Sequence, residues 1–195
     1  MPYVLTVDQR HSRRGRDLVE HALDLLAARV ADPLRPFERT AGDELQGILA
    51  NPHQALDAAF VLLRDGAWSV GIGAGPADEP LGPSARSSRG PVFIQAREAL
   101  DTAKNRPHHI AIVGTEERGH DADVLVTLLA ALISRRTSAG WQAVDMIESG
   151  RSVSEAAKAL GITRQAVGQR LAVALWQQER DARPLAARLL EEAAG

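Results

Sequence analysis

Residues 152–171 read SVSEAAKALGITRQAVGQRL, and this stretch decides the fold expected for the C-terminal part of the chain. Apolar residues recur at helical spacing before and after Gly161, which tolerates the left-handed backbone of a tight turn. Thr163 can cap the second helix. The pattern predicts a helix-turn-helix, the unit that places its second helix in the major groove of DNA. An ordinary helical hairpin with a glycine turn is the alternative interpretation.

The second predicted helix carries basic and amide side chains on the face that its partner helix leaves free. Arg and Gln are the side chains that pair bidentately with guanine and adenine. We therefore expect double-stranded DNA as a partner. The expected DNA-binding residues are Ser152, Thr163, Arg164, Gln165, Gly168, Gln169 and Arg170.

A single unit of this kind makes few contacts with DNA, which favours a homodimer that binds two half-sites about 34 Å apart. The helix predicted over residues 122–136 is rich in Leu and Ala. It is therefore a candidate dimer or linker helix.

The formal net charge of −2 is unevenly distributed along the chain. Residues 151–195 carry seven Lys and Arg against five Asp and Glu, whereas residues 1–150 carry sixteen against twenty. A local basic patch on an acidic body fits a DNA-binding module. Charge alone, however, favours the simpler interpretation of a solvated helix face.

The composition of the 195-residue chain narrows the possible classes further. There is no cysteine, which excludes disulfides and thiolate metal sites and suits a reducing cytoplasm. The N-terminus lacks the features of a signal peptide, and no run of about 18 apolar residues exists, so we expect no membrane span. The length suits two small domains, and we expect a cytoplasmic protein.

Upstream of the helical part, strand and helix patterns alternate as β-α-β-β-α-β-α-β. This order predicts an α+β fold: a ferredoxin-like antiparallel sheet (βαββαβ plus αβ) with helices on one face. The predicted strands cover residues 3–7, 35–40, 45–50, 68–74 and 109–113, and the helices cover 18–30, a segment opened by Asn51-Pro52 and closed by Asp65-Gly66, and 92–103. Glycines in the strand at 68–74 indicate close approach of another backbone or a ligand.

The polar residues 114–121 mark the expected boundary between this domain, residues 1–118, and an all-helical domain, residues 119–195. Five helices are predicted in the second domain, over residues 122–136, 140–149, 154–160, 163–176 and 183–192.

Two acidic residues are candidate metal ligands in the first domain. Asp8 ends the first strand, and Asp43 lies on the turn of the predicted hairpin. Two carboxylates that converge at one sheet edge repel each other, and this arrangement favours Mg²⁺ held together with phosphate oxygens. The alternatives are that Asp43 hydrogen-bonds its own turn and that Asp8 caps the next segment.

The hairpin residues Gly42-Asp43, with Arg39 before them, resemble the metal-binding hairpin of class III nucleotide cyclases and the signature turn of diguanylate cyclases. Residues 70–76, VGIGAGP, resemble the cyclase strand that follows the second helix. A closer resemblance is to the SatD family, bacterial proteins with a cyclase-like domain. It rests on Val7-Asp8…Ser12-Arg13, Gly42-Asp43-Glu44-Leu45-Gln46-Gly47 and residues 90–99, and it covers about residues 3–114.

The cyclase resemblance implies metal binding by Asp8 and Asp43, and a ligand site that includes Arg39, Gly42, Glu44 and Arg97. The chain departs from the cyclase pattern of an Asn and an Arg one helical turn apart. Ile94 stands at the Asn position, and Arg97 is out of register. Loss of one transition-state donor reduces rates by about 10²–10³, so ligand binding is expected rather than efficient cyclisation.

The segment after the first strand also lacks the Gly-Phe-Thr phosphate turn of the cyclases. Its arginines are candidate phosphate ligands, although a solvated helix start is the simpler interpretation. They are Arg10, Arg13, Arg14 and Arg16. The pair His108-His109 is expected at the surface, because adjacent strand residues point to opposite faces.

Residues 140–188 resemble the helix-turn-helix of bacterial transcription regulators and of sigma-factor promoter-reading domains. We therefore expect a DNA-binding transcriptional regulator. Its first domain would sense a ligand, such as a nucleotide with magnesium, or serve as a dimerising body. The alternatives are a nucleotide cyclase or related enzyme with an accessory helical domain, and a module that binds another protein.

Overall fold

A five-stranded mixed sheet and eight helices form an α+β fold in the part of the chain that the structure describes. The computed structural model describes residues 1–12 and 15–195, with Glu116 represented by its backbone. The elements are β1 (Tyr3–Gln9), α1 (Val19–Arg29), β2 (Arg35–Ala41), β3 (Glu44–Leu49), α2 (Pro52–Asp65), β4 (Trp68–Ala74), α3 (Pro91–Lys104), β5 (Ile110–Val113), α4 (Glu116–Ser134), α5 (Ser138–Glu148), α6 (Val153–Leu160), α7 (Arg164–Val173) and α8 (Trp176–Ala194).

The strands lie in the order β2-β3-β1-β4-β5. All neighbouring strands are antiparallel except β4 and β5, which are parallel. The predicted α+β class is confirmed, but the sheet is mixed rather than antiparallel. The reason is that α3 carries the chain back across the sheet between β4 and β5, and such a crossover makes the two strands parallel.

Helices cover both faces of the sheet, so the prediction of helices on one face was wrong. Alternate residues of β1 are buried in different cores: Leu5 belongs to the core that includes residues of α1, α2, α4 and α8, whereas Val4 belongs to the one that includes residues of α3. The glycines of β4 allow α3 to approach closely. A Cβ atom on Gly71 would lie 2.2 Å from the backbone nitrogen of Leu100, and one on Gly73 would lie 2.3 Å from the carbonyl oxygen of Val92.

The polar segment 114–121 is largely helical rather than a linker. Helix α4 begins at Glu116, so the predicted boundary between residues 118 and 119 falls inside it. The inner face of α4, with Val126 and Leu129, and that of α8, with Leu190, belong to the same hydrophobic core as the sheet. The polar residues at the start of α4 therefore do not separate two domains at this point.

Helices α5, α6 and α7 form a smaller bundle, which we call the C-terminal bundle (residues 138–173). Its own core contains Ala143, Ala156, Ala157 and Val167. Helix α7 ends at Val173 rather than at the predicted residue 176, because Leu175 adopts a left-handed conformation with φ of 50°. The chain turns there, and α8 returns to the sheet. Within the described residues, no helix is both long enough and apolar enough to cross a bilayer.

Candidate functional site

Local hydrogen bonds fix both ends of the α6–α7 pair. Ser152 and Glu155 form a capping box at the start of α6, in which the Glu155 carboxylate accepts the Ser152 backbone N–H at 2.8 Å. Gly161 ends α6 with φ of 65°. The Thr163 hydroxyl then accepts the Ala166 N–H at 3.1 Å and starts α7. Caps of this kind define where each helix begins.

The outer face of α7 is open to solvent. Val167 is the buried residue of this helix, and it faces the core of the C-terminal bundle. Arg164, Gln165 and Gln169 are exposed, and they form no side-chain hydrogen bond within the described residues. Gly168 lies between them, and nothing lies within 4 Å of the position a Cβ atom would take there. Three polar side chains are therefore free to contact a partner.

Three other predicted DNA-binding residues have structural partners. Ser152 and Thr163 are exposed, but their hydroxyls cap α6 and α7. Arg170 is half-buried, and its guanidinium donates to the Gln142 side chain of α5 at 3.4 Å. Fewer of the predicted residues therefore have side chains that are free to contact DNA than the sequence indicated.

Polar contacts orient the C-terminal bundle on the sheet. The buried Arg136 donates to the Ala174 carbonyl oxygen at 3.1 and 3.2 Å and to Glu179 at 3.3 Å. Arg64 of α2 forms a bidentate pair with Asp145 of α5 at 2.6 and 2.7 Å. The Trp141 ring contacts the guanidinium groups of Arg64 and Arg136, at 4.1 and 4.3 Å from its centroid. We call these contacts the junction.

The acidic residues near the β2–β3 hairpin lie at the same end of the sheet, as β1 and β3 are neighbours there. The register of β1 and β3 places Glu44 opposite Asp8, and Asp43 lies one residue further along, on the turn. Asp8 forms an ion pair with Lys104 at 3.0 Å. Within the described residues, no group of three or more His, Asp or Glu side chains is placed to hold a metal ion.

The predicted ligand-binding residues are engaged within the chain. Arg97 forms a bidentate pair with Glu44 at 2.5 and 2.7 Å, which raises the pKa of the guanidinium. Arg39 donates to the Gly42 carbonyl oxygen at 2.7 Å and to Asp17 at 2.8 Å. The pKa of Asp17 is lowered by the hydrogen bond from the Val19 N–H and then by the one from Arg39. These pairs anchor the hairpin to α1 and α3.

A cavity of about 450 Å³ lies at the end of β1, and of its lining the sequence indicated Asp8 and Arg10 as candidate site residues. We call it the β1-end cavity. Its lining is mainly basic and polar, and consists of Asp8, Gln9, Arg10, His11, Ser12, Ser69, Lys104 and His109. Of the predicted phosphate ligands, Arg10 lines this cavity and Arg16 is exposed, whereas Arg13 and Arg14 lie outside the described residues.

His109 is the unusual member of this lining. The residue is partly exposed at the surface, but its Nδ1 atom is buried and has no hydrogen-bond partner within the described residues. Its backbone φ is 52°. Burial lowers the pKa of the imidazole and the positive charge of Arg10 lowers it further, with smaller effects from His108 and His11, whereas the Ala103 backbone raises it in part. The alternation of side chains along a strand does not apply to His108 and His109, because β5 begins only at Ile110.

A second cavity of about 230 Å³ lies beside the junction. Arg10 and His109 line both this cavity and the β1-end cavity. The junction residues Arg64, Arg136 and Trp141 line the second cavity. Arg10 and His109 therefore stand between the end of β1 and the junction.

No protein-family model matches this chain, and searches against curated proteins and against solved structures also found no match.

Proposed function

We propose that the protein is a DNA-binding transcriptional regulator of the cytoplasm, and that α6 and α7 are a helix-turn-helix whose second helix enters the major groove. The open outer face of α7 carries this proposal. Arg164, Gln165 and Gln169 are exposed there, and Gly168 leaves space beside them. Arg and Gln hydrogen-bond guanine and adenine edges, and exposed cap hydroxyls at helix N-termini suit phosphate contacts.

The test is DNA binding by purified protein. The probe is a fragment that the protein enriches from sheared genomic DNA of its own organism at 50 and 200 mM salt. Replacing Arg164 and Gln169 together by Ala should weaken binding by about tenfold or more, because a good bidentate base contact is worth about 1–3 kcal/mol. The matched control is Arg188→Ala, which removes an exposed arginine of α8. Binding that the α7 variant leaves unchanged would contradict the proposal.

For the sheet and the helices packed on it, which include the predicted domain of residues 1–118, we infer a ferredoxin-like, SatD-like unit that senses a ligand. The strand order β2-β3-β1-β4 with antiparallel neighbours supports the ferredoxin-like arrangement, to which α3 and β5 add a final unit. The β1-end cavity supports a phosphate-bearing ligand such as a nucleotide, since Arg10, Lys104 and Ser12 line it and carry hydrogen-bond donors. Arg10 and His109, which this cavity shares with the second cavity, offer a route from a bound ligand to the junction.

Magnesium would enter such a site only with the ligand. Asp8 and Asp43 supply the carboxylate oxygens that Mg²⁺ prefers, but Lys104 already pairs with Asp8. Phosphate oxygens would have to complete the coordination. Thermal unfolding with ATP, GTP or pyrophosphate, with and without Mg²⁺, tests the site. We expect stabilisation that is lost in Lys104→Ala and kept in Lys158→Ala, a change on the exposed face of α6. No stabilisation by any of these would leave the domain only a dimerising role.

The alternative function is a nucleotide cyclase or a related nucleotide-processing enzyme. The shared hairpin favours it, but Ile94 is 72% exposed and offers no donor, and Arg97 is committed to Glu44. Product analysis after incubation with ATP or GTP and Mg²⁺ or Mn²⁺ decides the matter. Turnover that Asp43→Ala abolishes would establish the enzyme.

A further inference from the structure

The outer face of α4 is an apolar stripe with opposite charges at its two ends. Val124 is 54% exposed and Leu128 is 57% exposed, one helical turn apart. Ala131 and Leu132 continue the stripe and are half-buried. The inner face of α4 packs on the sheet and on α8, so this outer face is what remains available to a partner.

On the stripe itself, an acidic residue precedes the apolar residues and a basic residue follows them. Asp121 lies in the N-terminal part of α4, where the exposed Glu117 and Arg118 carry opposite charges, and Arg135 follows the C-terminal end. Asp121, Val124, Leu128, Leu132 and Arg135 share one side of the helix, because residues three and four apart are neighbours on a helix surface. Within the described residues, neither Asp121 nor Arg135 forms an ion pair.

We infer that this stripe is the interface for a second copy of the chain, with the two α4 helices packed antiparallel about a twofold axis at Leu128. In that arrangement Asp121 of each copy faces Arg135 of the other, and Val124 faces Leu132. A parallel pairing would instead place the acidic ends together. In a twofold interface, the same surface patch of each copy contacts the other copy. A helix that carries an acidic residue at one end of the patch and a basic residue at the other brings opposite charges together only in the antiparallel orientation.

The role that we assign to this dimer rests on the proposed function, DNA binding. A dimer with one α7 helix per copy matches DNA that has two half-sites. Helix α4 leads directly into α5, and Arg136 ties this connection to the end of α7. The angle between the two α4 helices would therefore set the distance between the two α7 helices.

The test is sedimentation of the full chain without DNA, from 1 to 200 µM. We expect a monomer–dimer equilibrium in the unmodified protein. Leu128→Asp places two like charges on the axis and should give a monomer throughout this range. Ile94→Asp adds the same charge at an exposed residue of α3 and should leave the equilibrium unchanged. Circular dichroism and thermal unfolding check that each variant is folded.

Charge exchange tests the orientation itself. Asp121→Arg and Arg135→Asp should each weaken the dimer by about tenfold, because each creates two like-charge contacts across the axis. The double variant should restore the equilibrium constant to within about threefold of the unmodified protein. A monomer at 200 µM, a dimer that survives Leu128→Asp, or a double variant without recovery would overturn the inference. If a monomeric variant still binds DNA, the failure concerns the dimer interface alone and not the proposed function.

Discussion

At the scale of single residues, His109 and Gly168 carry the most information, because each has a feature that folding alone does not require. The imidazole of His109 has a buried nitrogen without a partner beside a cavity, and a neighbourhood of positive charge. Gly168 occupies the middle of α7, where glycine destabilises a helix by about 1 kcal/mol relative to alanine. Both residues mark the places where the proposed ligand and DNA would bind.

The lowered pKa of His109 predicts a pH dependence of stability. The folded protein binds this proton less readily than the unfolded chain, whose histidine has a pKa near 6.5. The stabilisation is therefore present above pH 6.5 and is lost as the pH falls toward the folded-state pKa. His109→Asn, which tolerates the positive φ, should make the free energy of unfolding less dependent on pH between 7 and 5. Urea unfolding measures this, with exposed His53→Asn as the control.

The charged groups that face His109 come from several elements. They are Asp8, Arg10, His11, Lys104 and His108. Bound phosphate would raise the pKa of the imidazole, which an NMR titration of His109 with pyrophosphate would show. An unchanged slope in His109→Asn would contradict the assignment of the pH dependence to this residue.

The variant Gly168→Ala is expected to have opposite effects on the stability of the protein and on its binding of DNA. Because an added Cβ atom meets nothing within 4 Å, the variant should raise the free energy of unfolding by about 0.5–1 kcal/mol. It should also weaken DNA binding if DNA approaches the α7 backbone there. Gly161→Ala is the contrasting variant, since its φ of 65° should cost about 1–2 kcal/mol. Urea unfolding that shows Gly168→Ala to be destabilising would show that this face is not open.

At the scale of elements, strand β5 has an outer edge that a helix protects. The Ile112 N–H donates to the Asp123 carboxylate of α4 at 2.8 Å, and Arg106 donates to the same carboxylate at 2.7 and 2.8 Å. Unpaired edge groups invite pairing with other chains, and coverage by a helix prevents this. Asp123 therefore both stabilises the edge and joins α4 to the sheet.

Asp123→Ala should lower the free energy of unfolding by about 1–3 kcal/mol, because it leaves a buried N–H without an acceptor. Asp123→Asn should cost less, since its amide oxygen can still accept the Ile112 N–H. Urea unfolding of the two variants gives the comparison. Equal costs would assign the effect to the ion pair with Arg106 rather than to the strand edge.

The same elements show what the sequence could predict. The hairpin, α2 with its Asn51 cap, and the α6–α7 pair follow from local signals, and the structure has them within a few residues of the predicted bounds. The helix predicted over residues 122–136 is confirmed, but residues 116–121 of α4 were not predicted to be helical, because they are mostly polar and lack an apolar helical periodicity. The β1-end cavity was missed because Ser12, Lys104 and His109 are distant in sequence and meet only in the folded sheet.

Local sequence signals could also predict the environment of some site residues but not of others. Exposure of Arg164, Gln165 and Gln169 was predictable from helical periodicity, since Val167 fixes the inner face. The ion pairs of Arg39 and Arg97 were not, because they depend on how α1 and α3 are placed against the hairpin. Sequence periodicity gives the face of a helix, and tertiary packing decides which charges on it are already paired.

At the scale of the whole molecule, one hydrophobic core extends from the sheet into α4 and α8, and the C-terminal bundle is attached to it through the junction. The bundle therefore has a defined orientation relative to the β1-end cavity and to the outer face of α4. This arrangement would let a ligand or a second copy change how α7 is presented, while α7 itself stays free of the sheet.

The most direct measurement of the central proposal is photo-crosslinking to DNA from single positions on the surface. A photoreactive side chain at Gln165 should crosslink to bases of the enriched DNA fragment, whereas the same side chain at Arg188 of α8 should not. Crosslinks from Arg188 but none from Gln165, while the protein still binds the fragment, would contradict the account.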